Sequence, residues 1–331
     1  MKANNIYNIE IKTEQVKLCP ICNNDGVKLY ERLCDIRFNA PGEWDISLCK
    51  SCTTLWVNPR PLKEELYKCY LEYPTHCDKD IDIEEKEQNV SKWERLKDII
   101  LSGRKKENQF SKRMFLTEES PGRLLDIGCG NGSYLALMRD NGWDVAGVEP
   151  DPKAALLAKE RFGLDIFVGN IMEADFPPNS FDAITLSHVI EHVPNPHEVL
   201  THCFFLLKHD GKLAITTPNV ESLGRRIFGS AWFHLHPPQH LILYSPTSLR
   251  KIVEKVGFRI LMLRSLVRTA SGVFVGSGQI ISEYCAINKR SRISSVFSQS
   301  TLIRAAYVFI EHWGNKILRD LGEEIGILAV K

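Results

Sequence analysis

The sequence predicts an α/β protein built on a Rossmann-like, doubly wound sheet of seven strands, preceded by a small cysteine-bearing module and interrupted near its end by a helical insertion. Three observations carry the prediction. Strand-like and helix-like segments alternate from Arg123 onward, a glycine-rich turn joins the first of those strands to its helix, and two CxxC pairs lie within the first 52 residues. Alternation of this kind gives a parallel sheet covered on both faces. A chain of 331 residues, 44% hydrophobic and 25% charged, is long enough for one large domain and a small one.

In chain order, residues 1–62 form the first zone, closed by Pro59 and Pro61. Its start, Met1 to Gln15, lacks the apolar core of a signal peptide, and the chain has no apolar run of bilayer-spanning length. These features predict a cytoplasmic chain whose thiols stay reduced. Seven of its ten cysteines precede residue 78. Cys19-Pro-Ile-Cys22 and Cys49-Lys-Ser-Cys52 have 26 residues between them. A CxxC turn brings two thiolates to one side, and two such turns complete a tetrahedral zinc site; redox dithiols are the competing reading. Four thiolates close the coordination sphere, so the role expected for zinc is structural. Cys34, Cys69 and Cys77 have no paired spacing and read as ordinary residues.

Residues 63–118 are rich in Glu, Lys and Leu, with Trp93, Leu96, Ile99 and Ile100 at helical spacing, and read as a helical connector or lid with a solvated charged face. Residues 119–267 carry the alternating pattern. Strands are expected at Arg123–Ile127, Asp144–Val148, Ile166–Val168, Ala183–Ser187, Lys212–Thr217 and Phe258–Val267. Helices are expected at Ser133–Asp140, Pro152–Phe162, near His197–Lys208 and at Thr247–Val256. A helical insertion over 268–318 and a closing strand, Glu324–Val330 within 319–331, complete the chain.

Asp126-Ile-Gly-Cys-Gly-Asn-Gly132 falls where the first strand gives way to its helix, and Glu149 ends the next strand. Glycines at 128, 130 and 132 let the backbone turn tightly against a ligand. A carboxylate at 149 can accept both hydroxyl protons of a ribose. For a dinucleotide the third glycine of GxGxxG would fall at Ser133, and Asp126 opposes the positive potential that a pyrophosphate needs. A ligand with an ammonium and a sulfonium suits an acidic loop. The competing reading is a packing turn in which Asp126 caps the helix.

LLDIGCGNG, GVEPD at 147–151, FDAITLSHVIEHVPNP at 181–196, GKLAITTPN at 211–219 and HPPQHLILYS at 236–245 together resemble the successive motifs of class I S-adenosylmethionine-dependent methyltransferases. The resemblance runs from about residue 122 to 260. It implies the strand order 3-2-1-4-5-7-6 and S-adenosylmethionine as cofactor. It places Asp126, Gly128 and Gly130 at the methionine end, Glu149 at the ribose and Asn170 at the adenine, with Cys129, Pro150, Ile171 and Ser187 as further cofactor-binding residues. Asn170 stands where the family usually has an acid, and its amide can still bond the adenine amine.

Ser187-His-Val-Ile-Glu-His192 follows the fourth strand, where parallel sheets place their ligands. His188, Glu191 and His192 share one face of a helical turn. Methyl transfer from a sulfonium requires alignment of the acceptor, exclusion of water and removal of a proton, and a histidine suits the last task. The stretch resembles a segment of quinone-biosynthesis O-methyltransferases in which Glu, Glu and His bind a divalent metal; here His188 takes the first position. Bracing of the loop, general-base catalysis and metal binding all remain open for this trio. Trp232, Phe233, His234, His236, Gln239 and His240 suit a substrate lid, with His240 or Tyr244 as alternative bases.

A net charge of +1 gives no reason to expect nucleic acid as partner. Between 259 and 292, Arg259, Arg264, Arg268, Lys289, Arg290 and Arg292 interleave with apolar residues such as Phe274 and Ile281. An amphipathic helix pair packed on the sheet is favoured there over peripheral membrane contact. The expected activity is methylation of a small-molecule acceptor, first a saccharide or sugar nucleotide. The resemblance to saccharide and natural-product methyltransferases with such zinc modules makes Trp44 and Trp56 candidate acceptor-pocket walls. The alternatives are, in order, a quinone or lipid-linked phenol as acceptor, an RNA methyltransferase, and a non-catalytic zinc-dependent scaffold.

Overall fold

A computed structural model describes residues 9–72, 110–287, 301–318 and 320–331. The expected helix around Trp93–Ile100, together with Cys77, Lys289, Arg290 and Arg292, lies outside the described residues. The first strands are β1 (Thr13–Glu14), β2 (Gly26–Leu33), β3 (Trp44–Cys49), β4 (Leu55–Val57) and β5 (Arg60–Pro61), followed by a 3-10 helix at Lys63–Tyr70. The alternating part runs β6 (Arg123–Ile127), α1 (Ser133–Asp140), β7 (Asp144–Glu149), α2 (Pro152–Phe162), β8 (Phe167–Val168), β9 (Phe181–Ser187), α3 (Pro196–Leu206) and β10 (Leu207–Pro218). It continues with α4 (Leu223–Phe228), β11 (Ile242–Leu243), α5 (Pro246–Val256), β12 (Arg259–Leu266), α6 (Ala270–Ile287), α7 (Thr301–Leu318) and β13 (Glu324–Val330).

The main sheet has the order β12-β13-β10-β9-β6-β7-β8, which is the expected 3-2-1-4-5-7-6 read from its other edge. The pairs β10–β9, β9–β6, β6–β7 and β7–β8 are parallel. Leu124, Leu125, Ala183, Ile184 and Leu186 are buried, as central strands with both faces covered require. Helix ends follow from side chains legible in the sequence. Asp151 accepts a hydrogen bond from the Lys153 backbone N–H with Pro152 as the first helical residue of α2. Ser245 and Ser248 cap α5 reciprocally behind Pro246. Gly163 and Gly257 end the two helices in the left-handed region.

The chain divides into two compact units: Met1–Tyr73 with His188–Glu198 and Thr217–Ile325, and Pro74–Ser187 with Val199–Thr216 and Gly326–Lys331. The contacts therefore group residues differently from the linear zones read from composition. In the first unit β2, β3 and β4 form an antiparallel sheet that β11 completes, in the order β11-β4-β3-β2. Ile242 and Leu243 pair with Trp56 and Leu55. One apolar core runs through this unit, from Trp44, Ile46, Leu55 and Val57 to Trp232, Leu235, Leu243, Phe274 and Tyr307. Trp44 and Trp56 are each only 2% exposed. This corrects their expected place as acceptor-pocket walls, because the short cysteine-bearing strands need large side chains to fill a core. Phe274 is buried in the same core and Arg268 turns inward to the buried carboxylate of Glu324, so neither belongs to a basic and apolar surface. No described helix is long and apolar enough to cross a membrane.

Candidate functional site

The cofactor residues named from sequence lie in the second unit, where the β6–α1 turn meets the end of β7. Gly128, Gly130 and Gly132 have φ of 69°, 57° and 78°, values that favour glycine. A Cβ on Gly132 would also stand 2.8 Å from that of Ala158. The Gly128 backbone N–H donates to the Val148 carbonyl at 2.8 Å. One carboxylate oxygen of Glu149 accepts from the Gly130 N–H at 2.8 Å and the other from the Asp151 N–H at 2.9 Å. The glycine turn and its acidic partner are thus joined by hydrogen bonds.

Asp126 does not cap α1, whose N-cap is Gly132 without a side-chain bond. It is 3% exposed and accepts a 2.6 Å hydrogen bond from the Thr185 hydroxyl. Burial raises its pKa to about 7, a shift the Thr185 bond reduces and the charge of Glu149 adds to. Cys129 and Ile171 are buried, while Pro150 is exposed. Asn170 caps the short turn Ile171–Glu173, its side-chain oxygen accepting from the Met172 N–H at 3.0 Å. The Ser187 hydroxyl lies 3.1 Å from that of Thr216.

Both cysteine pairs lie in the first unit, in two knuckles of the same build. The Cys19 carbonyl accepts from the Asn23 N–H at 3.0 Å, and the Cys49 carbonyl from the Thr53 N–H at 2.9 Å. Asn23 and Thr53 have φ of 58° and 57°. The four sulfurs lie within 4.8 Å of one another, with 3.6 Å between Cys19 and Cys52 and 3.4 Å between Cys22 and Cys49. Four thiolates at about 2.3 Å from one zinc ion form a tetrahedron with edges of about 3.8 Å. The residues fit the ion. Among the unpaired cysteines, Cys69 is buried and Cys34 exposed.

The histidine–glutamate cluster also belongs to the first unit. His188 directly follows β9 with φ 54°, a conformation that costs a non-glycine residue about 1–3 kcal/mol. Its Nδ1 lies 3.2 Å from Glu191 and its Nε2 3.1 Å from Glu324, both carboxylates fully buried. Glu324 also accepts from Arg268, and the second oxygen of Glu191 accepts from the Thr217 hydroxyl at 2.9 Å. Burial opposes a charge on His188, but Glu324 and Glu191 outweigh it and raise its pKa to about 10. Both ring nitrogens therefore donate. This corrects the expectation of His188 as general base, since no lone pair is left to take a proton. Tyr244 is corrected too: it is buried, donates to the Ile190 carbonyl at 3.2 Å, and burial raises its pKa well above that of an ordinary phenol.

His192 and His240 behave differently. Burial lowers the pKa of each, that of His240 strongly, so they are neutral at physiological pH. Their rings meet edge to face at 4.7 Å between centroids. Glu191, His192 and His240 each bring a ligand atom within 4.8 Å of the other two. This group shares Glu191 and His192 with the trio read from sequence and has His240 where that trio has His188. His234, its pKa lowered to about 4 by burial, stacks on His188 at 6.1 Å. Sequence reasoning read Glu324 only as the start of the closing strand and Arg268 only as part of a basic stretch, and missed their place beside His188. The available signal was an acid heading an otherwise apolar strand, EIGILAV, where an unpaired carboxylate would be costly.

Comparison with known proteins adds the following. A family model described as a methyltransferase domain matches residues 103–263. The chain is 39% identical over 107 residues to a ubiquinone biosynthesis O-methyltransferase of Glaesserella parasuis, covering 29% of this chain and 45% of that protein. It is 34% identical over 146 residues to its namesake from Cereibacter sphaeroides, covering 41% and 59%. The chain thus spans about half the length of these curated relatives. Among solved structures, a SAM-dependent methyltransferase from Archaeoglobus fulgidus is similar at TM-score 0.46 and 22% identity, over 73% of this chain and 100% of that one.

Proposed function

Since this chain carries a class I S-adenosylmethionine-dependent methyltransferase domain, we propose that it transfers the methyl group of that cofactor to a hydroxyl of a small phenolic acceptor. The observation that carries the cofactor reading is the Glu149 carboxylate bonded to the Gly130 N–H beside the buried Asp126. An acid-rimmed glycine turn suits an adenosyl sulfonium whose amino-acid end is cationic, and repels a pyrophosphate. The names of these curated relatives favour the phenol, ranked second from sequence, over the saccharide ranked first, which neither name mentions.

The chemistry asks little of the donor, because a sulfonium is already a good leaving group. The protein aligns the acceptor oxygen with the methyl group, excludes water and handles one proton. Glu191 with the neutral His192 and His240 is the group suited to that proton. His188 serves to hold Glu191 in place. Incubation with methyl-labelled S-adenosylmethionine and parallel panels of catechols, sugar nucleotides and RNA tests the acceptor class. Label is expected in a catechol ether; label confined to sugar nucleotide or RNA would overturn the phenol reading.

Asp126 gives the cofactor reading a pH signature. In the free protein its pKa is about 7, above the unfolded value of about 3.9. The folded state therefore holds this proton more tightly, and stability falls as pH rises from about 4 to 7 and then levels. A cationic ligand favours the ionised form, so binding below pH 7 releases the proton. Affinity for S-adenosylmethionine should rise by up to about tenfold per pH unit below 7 and flatten above it. Calorimetry on Asp126→Asn should show weaker binding without that slope. An identical slope in the variant assigns the proton elsewhere.

A further inference from the structure

We propose that Tyr134 is a specificity-determining residue of the cofactor site, its hydroxyl donating a hydrogen bond to the α-carboxylate of S-adenosylmethionine beside Asp126. The assignment rests on the cofactor reading above and adds a residue that the sequence did not single out. Tyr134 is the second residue of α1, directly after the glycine turn. Asp126 on β6 and Thr185 on β9 are register partners on neighbouring strands, and both act on the Tyr134 phenol. Burial and the Asp126 charge raise its pKa, and the Thr185 hydroxyl lowers it. The phenol therefore keeps its proton at neutral pH and stands as a donor.

The Tyr134 oxygen is buried, yet no group among the described residues stands in hydrogen-bonding geometry to it. A buried phenol normally finds a partner, because an unmet hydroxyl forfeits the bond it made to water. The near neighbours are already committed. Thr185 has one hydroxyl proton and gives it to Asp126 at 2.6 Å. The ligand supplies the missing acceptor. The amino-acid end of S-adenosylmethionine carries an ammonium and a carboxylate on one carbon. With the ammonium at Asp126, the carboxylate comes close to a buried acid, and like charges repel strongly where water is scarce. A neutral donor beside that acid relieves the conflict, and Tyr134 is placed to be it. The start of α1 adds to the effect, since its N-cap Gly132 makes no side-chain bond and the positive end of the helix favours an anion. Asp126 and Tyr134 together thus read both charges of the amino acid. An analogue that keeps the ammonium and lacks the carboxylate satisfies Asp126 and leaves Tyr134 without an acceptor.

Calorimetry on the full-length protein with S-adenosylhomocysteine and with its decarboxylated analogue tests the contact. Tyr134→Phe is expected to bind S-adenosylhomocysteine about tenfold more weakly or worse, and the analogue within about twofold of wild type. Asp126→Asn should weaken both ligands. Tyr134→Phe should also melt no lower than wild type, because it removes a hydroxyl that has no partner in the free protein. Equal losses for the two ligands, or S-adenosylhomocysteine affinity within about twofold of wild type, overturn the contact. Should the variant misfold, 3-fluorotyrosine in place of Tyr134 keeps the hydroxyl. Its fluorine resonance is expected to shift with S-adenosylhomocysteine and much less with the analogue; equal shifts, or none, overturn the proposal. Wild type that binds neither ligand overturns the cofactor reading and Tyr134 with it. Wild type that binds both, with a Tyr134→Phe variant that does not distinguish them, overturns Tyr134 alone.

Discussion

Glu149→Ala is expected to weaken S-adenosylhomocysteine binding by 100-fold or more in calorimetry. In the proposed role the carboxylate accepts two hydroxyl hydrogen bonds from the ribose, each charge-assisted and worth about 1.5–3 kcal/mol. The same carboxylate accepts from the Gly130 and Asp151 N–H groups. Its removal therefore also releases the turn that must approach the ligand. Glu149→Gln keeps one acceptor oxygen and loses the charge, and should fall between the two. An alanine variant that binds within threefold of wild type would remove Glu149 from the cofactor site.

Cys22→Ser is expected to cost the protein about one zinc per chain and, with it, the fold of the unit that carries the cysteines. Structural zinc contributes about 10–16 kcal/mol of apparent binding free energy, whereas a whole domain is stable by only about 5–15 kcal/mol. The strands between the knuckles are short, β4 having three residues, and such strands do not persist alone. Metal analysis by mass spectrometry and near-ultraviolet circular dichroism of the buried tryptophans Trp44, Trp56 and Trp232 are the measurements. Wild-type protein free of zinc, or a variant with an unchanged tryptophan spectrum, would contradict the structural role.

The two cysteine turns and the glycine turn were legible in the sequence because local chemistry specifies them. A CxxC turn and a glycine turn are each built within a few residues, and their partners recur at characteristic spacing. Helix ends were legible for the same reason: Asp151 with Pro152 and Ser245 with Pro246 mark a start wherever they occur. What could not be read was the pairing of groups distant along the chain. His188 follows β9 and looks like a base in isolation. Only Glu324, 136 positions away, occupies its second nitrogen. His240 likewise comes to Glu191 through the bond from the Leu241 N–H to the Glu191 carbonyl and not through any spacing in the sequence. Trp44 and Trp56 were assigned to an acceptor pocket by resemblance alone, with nothing in the sequence to show what packs against them. Residues between 232 and 274 pack in one core with Trp44, and Ile242 pairs with Trp56; no local pattern announces either.

The last strand of the cysteine sheet has a consequence for how the chain is made. Among the described residues, β4 finds its outer neighbour in Ile242 and Leu243, almost two hundred residues later. On the ribosome, the amino-terminal segment brings out its two cysteine turns early yet must wait with a bare strand edge for most of the polypeptide to emerge. A fragment ending near residue 62 would keep that edge permanently and would self-associate, whereas a chain reaching past residue 243 can close it from within.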